Sequence, residues 1–173
     1  MKNASPNFSH ALERVLFREG GYVNDPLDRG GETKFGISKR AYPGLDVANL
    51  SLKDARAIYK RDYWDRLLLD EVEHPEIAEK IFDVAVNMGR GAAIVILQRA
   101  LNLLAGTTGR SALRVDGLMG PATLDAANHW CGKDPDALQE AVRGFRFMRY
   151  VEIVSKRPDQ ARFVRGWLKR VRL

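Results

Sequence analysis

The stretch Glu19-Gly20-Gly21-Tyr22-Val23-Asn24-Asp25-Pro26-Leu27-Asp28-Arg29-Gly30-Gly31-Glu32-Thr33-Lys34-Phe35-Gly36-Ile37 separates two kinds of sequence. Its five glycines and its Asn24-Asp25-Pro26 run are too rich in turn formers for a helix. Extended pieces at 22–23 and 33–37 predict a small β hairpin, and no other β structure is expected. Upstream, Ser5-Pro6 offers an N-cap followed by proline at the first helical position. Phe8, Leu12, Val15 and Glu19 follow at helical spacing, which predicts a helix over 6–18 that Gly20-Gly21 ends. Downstream, the apolar period is helical throughout. Ser51-Leu52-Lys53-Asp54 reads as a cap opening a helix to 68, and Pro75 opens another whose stripe is Ile77, Ile81, Val84 and Met88. Further helices are expected to about 104, over 121–130, from Asp134-Pro135 to 156, and over 158–172. The fold class is mainly α.

Glu19 is the most informative residue of the opening stretch. It continues the apolar stripe, so it is expected to face core or cleft, and it closes its helix where the macrodipole disfavours negative charge. Both effects favour a carboxyl group that keeps its proton near neutral pH. The competing reading is a surface glutamate at a frayed helix end. Asp28 lies nine residues on and Thr33 five beyond that. An acid on a helix end facing a carboxylate near a hairpin suits glycoside hydrolysis: one group protonates the leaving oxygen, and the other activates water or stabilises positive charge at the anomeric carbon. Asp25 rivals Asp28 for the second role, and each also reads as ordinary turn chemistry.

The whole stretch from Glu19 to Ile37 resembles the signature of glycoside hydrolase family 108, whose members are N-acetylmuramidases found as phage endolysins and as secretion-associated murein hydrolases. Asp62-Tyr63-Trp64 and Phe82-Asp83-Val84-Ala85-Val86-Asn87-Met88-Gly89 are similar to further segments of the family. The resemblance implies a lysozyme-like fold with the hairpin beside the active site, cleavage of the β-1,4 bond between N-acetylmuramic acid and N-acetylglucosamine, and Glu19 as the essential acid. The set Glu19, Asp28 and Thr33 is also similar to the Glu, Asp, Thr arrangement of phage-type lysozymes, with one residue fewer between Asp and Thr. That analogy implies an inverting outcome.

Residues 1–89 are expected to form the catalytic lobe and 90–173 a helical lobe packed on it, since no linker separates them. In the second half, Leu97-Gln98-Arg99-Ala100-Leu101-Asn102 and Val115-Asp116-Gly117-Leu118-Met119-Gly120-Pro121-Ala122-Thr123-Leu124 are similar to peptidoglycan-binding domains that accompany the family. Read physically, these residues form a turn and a helix start, and shaping the fold is their expected task. Apolar sugar faces stack on aromatic rings, which makes Tyr22, Tyr63 and Trp64 candidate substrate contacts, with core packing as the alternative. Asp83 and Asn87 share a helix face opposite much of the apolar stripe, either lining a cleft or solvated. The resemblance favours the cleft for Asn87.

Composition excludes several classes. A single cysteine, Cys131, excludes an internal disulfide framework, and three separated histidines give no zinc spacing. No cofactor and no metal are expected, because two carboxyl groups suffice for the chemistry. No apolar run reaches membrane-spanning length, and Met1-Lys2-Asn3-Ala4-Ser5-Pro6 has no apolar signal region. The expected course is synthesis in the cytoplasm without a signal peptide and action on the cell wall after release. The net charge of +6 over 173 residues is uneven: residues 144–173 hold nine Lys and Arg against two Asp and Glu. The last helix sets Phe163, Val164, Trp167, Leu168 and Val171 against Arg162, Arg165, Lys169 and Arg172, an amphipathic pattern whose basic side would attract anionic envelope polymers or a membrane surface. The expected partner is the glycan strand, met by a monomer. A non-catalytic murein-binding module is the alternative. A nucleic-acid partner is not expected, because it leaves the 19–33 motif unexplained.

Overall fold

The computed structural model describes residues 6–19 and 31–171. The chain divides into two compact units, Met1–Asp70 and Glu71–Leu173. It is mainly α-helical, with one two-stranded sheet among the described residues.

In the first unit, α1 (Pro6–Glu19) buries Phe8, Ala11, Leu12 and Val15, the stripe read from the sequence. Phe8 meets the edge of Trp64 with ring centroids 5.3 Å apart. Strands β1 (Thr33–Lys34) and β2 (Ile37–Ser38) pair antiparallel, Thr33 opposite Ser38 and Lys34 opposite Ile37. The hairpin therefore turns inside the stretch expected to be one strand. Its two turn residues, Phe35 at φ 53° and Gly36 at φ 77°, both take the left-handed region that a type I′ turn demands. Glycine does so freely, whereas a bulky phenylalanine is strained there. The Tyr59 hydroxyl holds the strained residue by donating to its carbonyl at 2.8 Å.

Ser51 caps α2 (Leu52–Tyr59), accepting from the Asp54 N–H at 3.1 Å. The expected single helix to 68 is corrected at this point. After Tyr59 the chain runs as a π-helix over Lys60–Trp64 and a 3-10 turn over Asp65–Leu67, and it stops at Leu68 with φ 51°. The physical reason is register. In an α-helix, residues five apart point to different sides, whereas π bonding, seen as the Asp65 N–H donating to the Lys60 carbonyl, turns them to one side. Tyr59 and Trp64 are thus both buried.

In the second unit, α3 (Pro75–Met88), α4 (Arg90–Ala105), α5 (Pro121–Lys133) and α6 (Pro135–Lys156) pack around α6, which touches the other three and also α7 (Val164–Val171). Asp134 caps α6 by accepting from the Ala137 N–H at 2.9 Å. The terminal helix expected as one piece begins instead with a 3-10 stretch, Pro158–Phe163. Contacts place α3 with this unit, so the compact division falls at 70/71. Cys131 is buried, and burial pushes its thiol pKa up.

Two polar hubs sit inside this unit. Gln98, buried on α4, donates to Asp116 Oδ1 (2.9 Å), the Leu118 carbonyl (3.1 Å) and the Thr123 hydroxyl (3.2 Å). Its own carbonyl accepts from the N–H groups of Asp116 and Gly117. Gly117 has φ 75°, and a Cβ there would stand 3.1 Å from the Gly91 carbonyl oxygen, so the turn needs glycine. In the other hub, Asp83 and Arg146 are both buried and bond at 2.7 Å. The reading of Asp83 as a cleft-lining or solvated residue is corrected here: α6 covers that face of α3, and a buried carboxylate needs a buried cation.

Candidate active site

Glu19 is the last residue of α1. The helix thus reaches the glutamate, and the Gly20-Gly21 pair next in the sequence favours a helix end there, where unsatisfied carbonyls oppose a negative charge. Tyr22, Asp25 and Asp28 lie outside the described residues, as does the Glu19 side chain. Description resumes at Gly31, whose φ of 67° turns the chain into the hairpin.

Thr33 stands at the start of β1, half-buried, and its hydroxyl donates to the Gly31 carbonyl at 3.1 Å. A threonine hydroxyl has one proton and two lone pairs, so this bond directs its acceptor side away from Gly31. The Lys39 N–H donates to the Glu32 carbonyl at 2.8 Å, closing the base of the hairpin behind it. The Lys34 ammonium donates to the Ala48 carbonyl at 2.8 Å, which ties the hairpin to the following loop.

The π-helical stretch carries the other polar groups of this unit. Asp62 accepts from the Tyr42 hydroxyl at 2.9 Å and from both sides of the Arg61 guanidinium, at 2.7 and 2.6 Å. Burial first, and then the Asp62 carboxylate, push the Tyr42 hydroxyl pKa well above its ordinary value. Lys60 bonds both Asp65 and Asp70. Partial burial works against its charge, but the two carboxylates outweigh that cost and raise its pKa.

The aromatic candidates separate clearly. Tyr63 is half-buried and lies against Tyr59, with centroids 5.6 Å apart, so part of its surface stays open. Trp64 is 0% exposed, and its indole N–H donates to Asp70 at 2.7 Å. A ring with no exposed face cannot stack a sugar, and Trp64 is corrected from substrate contact to core. Asn87 is half-buried in the second unit and accepts from the Tyr150 hydroxyl at 2.9 Å. Its carbonyl is therefore committed to α6, and its amide NH2 group is what it has to offer a ligand.

The sequence reading passed over two features. The Tyr42–Asp62–Arg61 cluster joins residues twenty positions apart, and no local period marks Tyr42. Phe17 is 92% exposed on α1, two residues before Glu19, and its absence from the apolar stripe was the available signal. Among the described residues no three His, Cys, Asp or Glu side chains come together as a metal-binding group.

Comparison with known proteins assigns both halves. Residues 12–89 match the family model described as Glycosyl hydrolase 108, and residues 92–172 match the one described as Predicted Peptidoglycan domain. A solved structure titled "Structure of Brucella abortus SagA" is similar over 97% of this chain and 91% of its own, at 26% identity and a TM-score of 0.76. No curated protein sequence matches.

Proposed function

The chain belongs to glycosyl hydrolase family 108 and is an N-acetylmuramidase, a hydrolase of peptidoglycan, and from that premise we propose how its residues divide the reaction. Glu19 is the general acid that protonates the glycosidic oxygen between N-acetylmuramic acid and N-acetylglucosamine. Asp28 activates the attacking water or stabilises positive charge at the anomeric carbon, and Thr33 holds that water. Tyr22 and Tyr63 offer ring surface to the sugars, and Asn87 offers its amide.

One observation carries this reading: α1 runs with its apolar stripe buried as far as Glu19, and the Gly20-Gly21 pair that follows in the sequence favours a helix end there. A carboxyl at a helix C-terminus meets the negative end of the macrodipole, which stabilises the protonated form that a general acid must start from. The Thr33 hydroxyl supports its own role, because its proton is given to Gly31 and its lone pairs are left to accept from a water. Residues 1–89 perform the cleavage and 90–173 supply the peptidoglycan-binding part, working as a monomer. The setting we favour is that of an endolysin acting on the murein layer, with the basic C-terminal segment drawing the enzyme to anionic envelope polymers.

Digestion of purified murein followed by mass spectrometry tests the reading. The wild type is expected to release muropeptides with reducing N-acetylmuramic acid ends, and Glu19→Gln is expected to lose roughly 1000-fold or more of that activity while still binding sacculi. Reducing N-acetylglucosamine, anhydro-muramic or free-peptide products would overturn it, as would clearance by Glu19→Gln at the wild-type rate.

A further inference from the structure

The second unit carries an apolar surface that catalysis does not use. Phe147, Met148 and Val151 on α6 are each about half exposed. Phe147 and Val151, with Val154, Val164 and Leu168, line a groove of about 300 Å³ between α6 and α7. On the other side of Val151, Met148 borders a second depression of about 310 Å³. Beneath the groove α7 is fastened by stacking, Trp167 on Tyr150 with centroids 4.9 Å apart. The Tyr150 hydroxyl is turned away to Asn87, which leaves Ser155 as the polar side chain of the groove wall.

Residues 156–169, which run from the end of α6 into α7, are cationic, with Asp159 their single carboxylate. Lys156, Arg157, Arg162, Arg165 and Lys169 are exposed, and none of them makes an ion pair among the described residues. Glu152, which lines the second depression, is already bonded to Arg99 and Arg149. Arg162 covers the Phe163 ring at 4.7 Å, an arrangement that keeps an aromatic and a cation together at a boundary.

We propose that this face of α6 and α7 docks on an anionic lipid surface. A glycan needs hydrogen-bonding groups, and the groove walls present almost none. A second copy of the chain would bring an equally basic segment against this one, and like charges oppose that pairing. A bilayer bearing anionic headgroups satisfies both halves of the surface: acyl chains and glycerol backbones meet the aliphatic and aromatic side chains, and headgroups meet the cations. No helix among the described residues is long and apolar enough to cross a membrane, so the contact is one of lying on the surface.

The experiment is co-sedimentation of the full chain with two vesicle types, phosphatidylcholine alone and phosphatidylcholine mixed with phosphatidylglycerol. Binding is expected to be roughly tenfold or more stronger to the anionic vesicles and to weaken as salt is raised. Val151→Glu and Met148→Glu, both exposed changes that leave the circular dichroism as in wild type, are each expected to weaken it by roughly tenfold. Lipids brominated in the acyl chain should quench the emission of Trp167, since Trp64 and Trp130 are buried. Equal partition to both vesicle types, no binding at low salt, or wild-type binding by Val151→Glu would each overturn the proposal. So would a lipid-free dimer in sedimentation velocity that Val151→Glu abolishes, which would give the face to a second copy. Glu19→Gln is expected to bind vesicles as the wild type does, so this proposal and the catalytic reading fail separately.

Discussion

The two units differ in where their motif residues lie. In Met1–Asp70 the motif has its first residue on α1 and its Thr33 beside a two-residue hairpin turn, and the eight-residue helix after the hairpin gives way to π and 3-10 turns. In Glu71–Leu173 the helices are longer, and the notable polar groups point inward: Gln98 into the 113–123 loop and Asp83 onto Arg146. A polar group on a loop keeps its bonding capacity for a substrate. A polar group inside a helical bundle has that capacity used up by its neighbours and serves shape. This contrast makes the first unit sensitive in rate and the second in stability.

Four substitutions try that contrast. The largest expected effect is in the second unit. Asp83→Ala removes the buried carboxylate that Arg146 bonds, and should cost about 3–5 kcal/mol in denaturant melts. Pairing Asp83→Leu with Arg146→Met should recover most of the loss, and if it does not, the pair matters for more than its charge. Next, Asp28→Asn should slow murein turnover roughly 100-fold, about 2.7 kcal/mol of barrier, with the melting transition unmoved. An unchanged rate would return Asp28 to the turn. Gln98→Ala should cost about 2 kcal/mol, because the N–H groups of Asp116 and Gly117 lose their acceptor, with murein turnover per folded molecule preserved. Tyr59→Phe should cost about 1 kcal/mol by releasing the Phe35 carbonyl. It would sharpen the contrast if turnover fell more than stability, since the hairpin carries Thr33.

The pH dependence of stability has a definite sign at the Gln98 hub. Gln98, followed by the Leu118 N–H, holds the Asp116 carboxyl pKa below the ordinary carboxylate range. A group depressed in the folded state stabilises it above the unfolded pKa of about 4, and that contribution is lost as pH falls through and below this value. Asp116→Asn should therefore lower the melting temperature at neutral pH, where the carboxylate contributes, and flatten the acid side of the profile, where its contribution is already lost. A profile as steep as the wild type would assign the acid limb to other carboxylates.

Local signals were legible where local physics decides. Pro75, Pro121 and Pro135 each open a helix as their fixed φ suggests, and the Ser51 and Asp134 caps form as read. The apolar stripe of α1 is buried residue for residue. The site was less legible. Trp64 and Tyr63 are adjacent in sequence, and only the π register decides that one is core and the other half open. Asp83 looked peripheral on its own helix because a single helix does not say what covers its polar face.

The sequence alone sets the mainly helical class and carries the resemblance to the muramidase family, because the Glu19 motif, the turn residues and the uneven charge are all properties of short segments. Tertiary structure alone decided which polar and aromatic side chains are used up internally. That outcome depends on α6 lying over α3 and on the Asp116-Gly117 turn reaching Gln98, which are pairings between residues far apart in the chain. Periodicity reports which face of an element is apolar, and burial of a polar group depends on the partner another element brings.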